Sequence, residues 1–184
     1  MKYYSTNKQA PLASLEEAVV KGLAGDKGLY MPEHIRPLDK DTISGLKNKS
    51  FHEIACTAAQ AFFGEDIETL DAIVRDTLSF ETPVVPVRDN IYSLELFHGP
   101  TLAFKDVGGR FMARLLGYFI KKEGLKQVNV LVATSGDTGT QYARNLPGQR
   151  GQEICFGTGG FVIIAQRAVR SIHQFSKCED IIFL

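Results

Sequence analysis

Apolar residues recur at helical spacing over the first eighty positions and at strand spacing beyond them. Leu15, Ala18, Val19 and Leu23 share one face of a helix predicted over Ser14 to Ala24. Ser14 and Glu17 have capping-box spacing, so each can satisfy an orphan donor of the first turn. Gly25 and Gly28 are expected to end this helix, and Pro32 and Pro37 keep the next segment extended. Asp39, Lys40 and Asp41 read as a solvated helix start. Ser50 and Glu53 repeat the capping spacing before a helix carrying Ile54, Ala58, Ala61 and Phe62, closed by Gly64. A third amphipathic helix is predicted over Asp66 to Leu78 through Ile67, Leu70, Ile73, Val74 and Leu78.

The pattern changes at Glu81. Thr82 to Val87 is extended and marked by Pro83 and Pro86. Ile91 to Phe97 alternates as a strand, with Tyr92, Leu94 and Leu96 on an apolar side. Phe104 to Lys122 has the length and wide apolar stripe of a buried helix, through Val107, Phe111, Met112, Leu115, Leu116, Phe119 and Ile120. Gln127 to Ala133 is a short apolar strand. Strand, helix, strand in that order predicts a right-handed crossover within a parallel sheet. The fold class expected is therefore α/β: a helical N-terminal domain over 1–85, then part of a parallel sheet with flanking helices over 86–184.

Composition narrows the function classes. The chain has 184 residues, with 21 basic and 21 acidic side chains and a net charge of zero. That balance points to neither nucleic acid nor an anionic membrane. No run approaches the roughly 20 apolar residues needed to span a bilayer. The opening Met1 to Thr6 lacks the apolar core of a signal peptide. Cys56, Cys155 and Cys178 fit neither a disulfide framework nor a metal spacing, and His34, His52, His98 and His173 show no metal spacing either. The expectation is a cytoplasmic protein with reduced thiols and no metal.

Two motifs carry candidate chemistry. Phe97 to Asp106 reads Phe-His-Gly-Pro-Thr-Leu-Ala-Phe-Lys-Asp. Lys105 follows a turn containing Gly99 and Pro100, near the start of the long helix and the end of a strand, where ligands collect in open α/β sheets. An amine held there and partly neutral can condense with an aldehyde such as pyridoxal phosphate (PLP). The alternative is a solvated lysine on a first helical turn. The second motif, Ala133 to Gly139, reads Ala-Thr-Ser-Gly-Asp-Thr-Gly. Its glycines allow a tight turn whose N–H groups, with the hydroxyls of Ser135 and Thr138, suit a carboxylate or phosphate at a helix start. Asp137 could cap that helix or accept from a ligand hydroxyl. An ordinary capped turn is the alternative.

With both motifs in view, the chain resembles the threonine synthase family, a branch of the fold type II PLP enzymes. Met1 to Thr6 and Gly22 to Pro32 look like the family's opening, although a glycine is more usual where Lys27 stands. Phe97 to Phe111 looks like the cofactor-lysine segment, with Lys105 on the Schiff-base position. The resemblance implies PLP as cofactor, with Lys105 as the catalytic lysine and Phe104 and Asp137 against the cofactor. It also implies a substrate site of Thr101, Ser135, Gly136, Asp137 and Thr138. The family reaction converts O-phospho-L-homoserine and water to L-threonine and phosphate. A related lyase acting on another phosphorylated amino alcohol is a further reading.

After Gly139 the expected likeness ends. Pro147 with Gly148 and Gly151 would cut a helix short, and 140–184 reads as a divergent tail, with an out-of-frame or wrongly predicted terminus as the expectation. Phe161 to Ala165 and Asp180 to Leu184 could be strands, and Arg167 to Lys177 a helix. Gly157 to Gly160 could cradle a phosphate or be a plain turn. In the family the phosphate loop lies later, so the chain reads as an N-terminal fragment with little or no activity alone. An unpaired sheet edge would favour association with another chain. Cys56 is expected in the core, and His98 could line the site, cap or pack.

Overall fold

The computed structural model describes residues 1–124, together with the backbone of four later strands at 128–133, 152–158, 161–165 and 181–183. The chain divides into two units, Met1–Ser79 and Phe80–Leu184.

In the first unit, β1 (Tyr3–Ser5) pairs antiparallel with β2 (Tyr30–Pro32), with Tyr4 opposite Met31. Between them runs α1 (Leu15–Lys21). Ser14 caps it by accepting from the Glu17 N–H at 3.1 Å. The Glu17 side chain turns to Lys21 at 2.6 Å, an i,i+4 ion pair. Gly22, at φ 71°, ends this helix ahead of the predicted stop at Gly25; only a residue without a Cβ takes that backbone freely.

The loop carrying Gly25 and Gly28 is tied instead to Asp26. Its carboxylate accepts from Ser5 Oγ at 2.6 Å, from the Gln9 and Ala10 N–H groups at 2.9 Å each, and from the Gly28 N–H at 3.0 Å. A Cβ on Gly28 would overlap Ser5 Oγ. These bonds, the Ser5 hydroxyl foremost, pull the Asp26 carboxyl down from 3.8 to about 2.

Next come α2 (Lys40–Gly45), capped by Asp39 through the Thr42 N–H at 2.7 Å, α3 (Phe51–Phe63) and α4 (Leu70–Thr77). The solvated helix start predicted at Asp39 is where α2 begins. Ser50 and Glu53 form the complete capping box at α3. The predicted third helix is shorter than its apolar pattern, since α4 begins only at Leu70 and Ile67 is buried in the turn before it. His52 on α3 donates through Nε2 to the Leu78 carbonyl at 2.9 Å. The Cys56 thiol donates to Asp71 Oδ1 at 2.9 Å. Burial first, and then the acidic partner, raise the thiol to about 11. Cys56 is thus half-buried and polar-bonded rather than a core residue, because the α3 face bearing it is shared with Asp71. Ile67, Leu70, Ile73, Val74 and Leu78 join Tyr3, Ala13, Leu15 and Ala24 as the buried apolar set. Each large aliphatic among them contributes roughly 1.5–3 kcal/mol by leaving water.

The second unit opens with β3 (Val84–Arg88) and β4 (Ile91–Leu94), an antiparallel hairpin with Val84 opposite Leu94 and a bulge between Pro86 and Arg88. The long helix α5 (Lys105–Glu123) ends at Gly124 in the left-handed region. Its buried stripe is Ala113, Leu115, Leu116, Phe119 and Ile120, while Val107, Phe111 and Met112 are half-buried. Then come β5 (Val128–Ala133), β6 (Gln152–Thr158), β7 (Phe161–Ala165) and β8 (Ile181–Phe183). They are ordered β7-β6-β5-β8, with β5 parallel to β6 and to β8, and β6 antiparallel to β7.

Strands expected at Phe161 to Ala165 and within Asp180 to Leu184 are present. The strand β6 is not among those that the apolar pattern predicts. The predicted crossover from β4 to β5 does not form, because β4 pairs with β3 in its own two-stranded sheet while β5 lies in another. A short connection, Asp89 and Asn90, brings β3 and β4 together as a hairpin before any longer-range pairing is needed. Tyr92 and Leu94, the predicted apolar side of β4, are 60% and 58% exposed. The expected helix over Arg167 to Lys177 lies outside the described residues.

Candidate functional site

The segment from Phe97 to Asp106 leads from β4 into α5. Phe97 and His98 stack, with ring centroids 4.8 Å apart, and His98 Nε2 meets Glu95 Oε2 at 2.7 Å. His98 is therefore occupied with a local partner. A tight turn follows at Gly99 to Leu102, closed by the Leu102 N–H donating to the Gly99 carbonyl at 3.0 Å. Leu102 sits at φ 57°, a left-handed backbone that costs a leucine roughly 1–2 kcal/mol. Its side chain is 76% exposed, so burial does not offset that cost. A second turn, in which the Asp106 N–H donates to the Ala103 carbonyl at 3.0 Å, leads into α5, whose first residue is Lys105.

Lys105 is half-buried, on the opening turn of a 19-residue helix. Thr101, shortly before it in sequence, has a buried hydroxyl without a hydrogen-bond partner among the described residues. A buried hydroxyl left unmatched costs free energy, so a ligand oxygen that matched it would bind with that cost removed. A lysine amine following such a hydroxyl fits a cofactor carrying an aldehyde and hydrogen-bonding oxygens, as PLP does. Phe104 precedes the helix and is 65% exposed. Ser135, Gly136, Asp137 and Thr138, the expected second half of the site, lie outside the described residues, as do Gly159 and Gly160.

One further residue of this segment has no motif signal of its own. Asp106 is fully buried, and its Oδ2 accepts from the Thr101 N–H at 2.8 Å. A methyl group on Gly99 would fall 2.5 Å from that same oxygen and 2.8 Å from the Asp106 Cβ. Glycine at 99 thus lets the carboxylate lie directly on the turn. The signal in the sequence is an acidic residue in a first helical turn, where the helix dipole favours it, but such residues are common on solvated helices. Among the described residues no group of three or more His, Cys, Asp or Glu is placed to hold a metal, and no helix is long and apolar enough to cross a membrane.

The family model "Threonine synthase N terminus" matches residues 2–78. A threonine synthase of Escherichia coli is 39% identical over 145 residues, covering 78% of this chain and 33% of that protein. A threonine synthase of Schizosaccharomyces pombe is 36% identical over 210 residues, covering 99% of this chain and 41% of that protein. The crystal structure of PLP-bound threonine synthase from Brucella melitensis superposes with a TM-score of 0.79 at 35% identity, over 86% of this chain and 35% of that one. This chain thus spans about a third of the length of several threonine synthases it matches. The S. pombe alignment covers 99% of the chain, whereas the E. coli alignment covers 78% of it. The former stretches over 210 positions for a chain of 184 residues, so it is gapped.

Proposed function

Because this chain belongs to the threonine synthase family, matching the N-terminal region of its full-length members, we propose that it carries the cofactor lysine of a PLP-dependent lyase. The reaction of the complete site is the conversion of O-phospho-L-homoserine and water to L-threonine and phosphate. This chain supplies the N-terminal share of that site. The observation that carries the proposal is the half-buried Lys105 on the first turn of α5, with the unmatched Thr101 hydroxyl in the turn before it.

When bound, PLP supplies an electron sink for charge developing on the substrate's carbon atoms. Lys105 would hold the cofactor through Nζ and, once the substrate's amine has taken its place, the freed amine would move protons at the substrate's carbons as a base. Thr101 would donate its hydroxyl to a cofactor or substrate oxygen, and the exposed ring of Phe104 would lie against the cofactor. By the family resemblance, Ser135, Gly136, Asp137 and Thr138 would bind the substrate's carboxylate, with Asp137 also serving the cofactor. In this reading 1–85 is the family's helical opening, and 86–184 is the beginning of its parallel-sheet PLP domain. The protein works in the cytoplasm, on a small molecule, with no nucleic acid or membrane as partner.

A second reading is a non-catalytic chain that associates with other chains, favoured by the exposed apolar hairpin of Val84, Val87, Ile91, Tyr92 and Leu94. Adding PLP to the purified chain separates the two. The first predicts an absorbance band near the visible edge, removed by borohydride and missing in Lys105→Ala. The absence of any such band in the unaltered chain overturns it. Threonine release from O-phospho-L-homoserine then tells a complete site from a partial one.

A further inference from the structure

We infer that Asp106 is a positioning residue for Lys105, its buried carboxylate locking the Gly99–Leu102 turn from which the lysine's helix starts. The inference rests on Lys105 being the cofactor lysine. Three observations meet in this carboxylate. It accepts the Thr101 N–H at 2.8 Å, so the first turn of α5 holds the turn that precedes it. It fills the space that a side chain on residue 99 would need. The turn it holds also contains Leu102 in the left-handed region, a conformation that persists only when its surroundings fix it.

Lys105 lies between the two ends of this clamp in sequence: Thr101 before it, Asp106 directly after it. Releasing the clamp lets Leu102 relax to an ordinary backbone, and the start of α5 moves with it. The backbone that carries the lysine then loses its fixed register to the turn before it. Glutamate cannot substitute, because the extra methylene drives the carboxylate into the Gly99 backbone. Asparagine can, since its side-chain oxygen still accepts from Thr101 at the same reach.

The test compares the full chain with Asp106→Ala, Asp106→Asn and Gly99→Ala. Two readouts are taken: amide hydrogen exchange over residues 99–106 without cofactor, and the fraction of Lys105 that PLP and borohydride modify, read by mass spectrometry. Asp106→Ala is expected to raise exchange at Thr101 and lower Lys105 modification, each by about tenfold, the worth of one hydrogen bond to a charged group. Asp106→Asn is expected to restore both to within about threefold. If Asp106→Ala does not fold, Gly99→Ala serves instead, since its methyl displaces the carboxylate and predicts the same two changes. Unchanged exchange at Thr101 in the folded variant overturns the inference, as does unchanged Lys105 modification. If the unaltered chain takes no PLP at Lys105, the reading of the lysine falls, and the exchange result alone decides whether Asp106 holds the turn.

Discussion

Single side chains that reach back to the backbone set the local order of this protein. Asp26 gathers Ser5, Gln9, Ala10 and Gly28 around one carboxylate. Those bonds favour the ionised form, so its carboxyl is held at about 2 rather than 3.8. A lowered carboxyl stabilises the fold fully above its ordinary value, and that stabilisation is lost as the pH falls toward about 2. Thermal unfolding followed from about pH 5 down to about pH 2 is expected to show a midpoint that falls below about pH 4. In Asp26→Asn that slope should flatten and the midpoint at neutral pH should drop. A variant with the same slope as the unaltered chain would show that Asp26 is not the group responsible. Asp26 is not legible in the sequence because its partners lie up to 21 positions away and meet it only when β1 and β2 pair. Asp106 is hidden for a related reason: an acidic residue in a first helical turn is common, and only the absent Cβ of Gly99 reveals what it rests on.

Among helices and strands, local signals are legible and pairing is not. The Ser50–Glu53 box follows from spacing alone and is complete, with the Glu53 carboxylate accepting from the Ser50 N–H at 2.8 Å. The same spacing at Ser14 and Glu17 yields half a box, because Lys21 offers Glu17 a charged partner on the next turn. Ser50→Ala should therefore destabilise α3 by about 1 kcal/mol, the ordinary worth of such a cap. Chemical denaturation followed by circular dichroism would measure it, and no loss beyond a few tenths would mean that α3 is held by its packing on α4. The crossover expected between Ile91 and Ala133 fails for a different reason. Strand spacing identifies β4 and β5 one at a time, but which strand each one joins depends on the turn beside it. At β4 that turn is the two-residue link of Asp89, at φ 44°, and Asn90, whose tight reversal selects β3.

At the scale of the whole molecule, the described residues present an exposed apolar surface. Val84, Val87, Ile91, Tyr92 and Leu94 are each more than half exposed, on a two-stranded hairpin whose outer edges are unpaired among the described residues. Such edges pair with other chains, and a patch of this character is a site of association. Sedimentation over a concentration series should show self-association that Tyr92→Lys weakens. A monomer at every concentration would contradict it. The chain matches threonine synthases over about a third of their length. What it contributes to chemistry therefore reduces to whether its lysine segment works as the family's does.

That question has a direct measurement. The purified chain is incubated with PLP, reduced with borohydride and digested, and every lysine is scored for the cofactor's mass. The prediction is a label concentrated on Lys105, well above that on Lys2 and Lys8 near the N-terminus or on Lys121 and Lys122 at the far end of α5, and gone from this position in Lys105→Ala. A label spread over Lys2, Lys8, Lys121 and Lys122 in proportion to their exposure, with a total unchanged by Lys105→Ala, would contradict it.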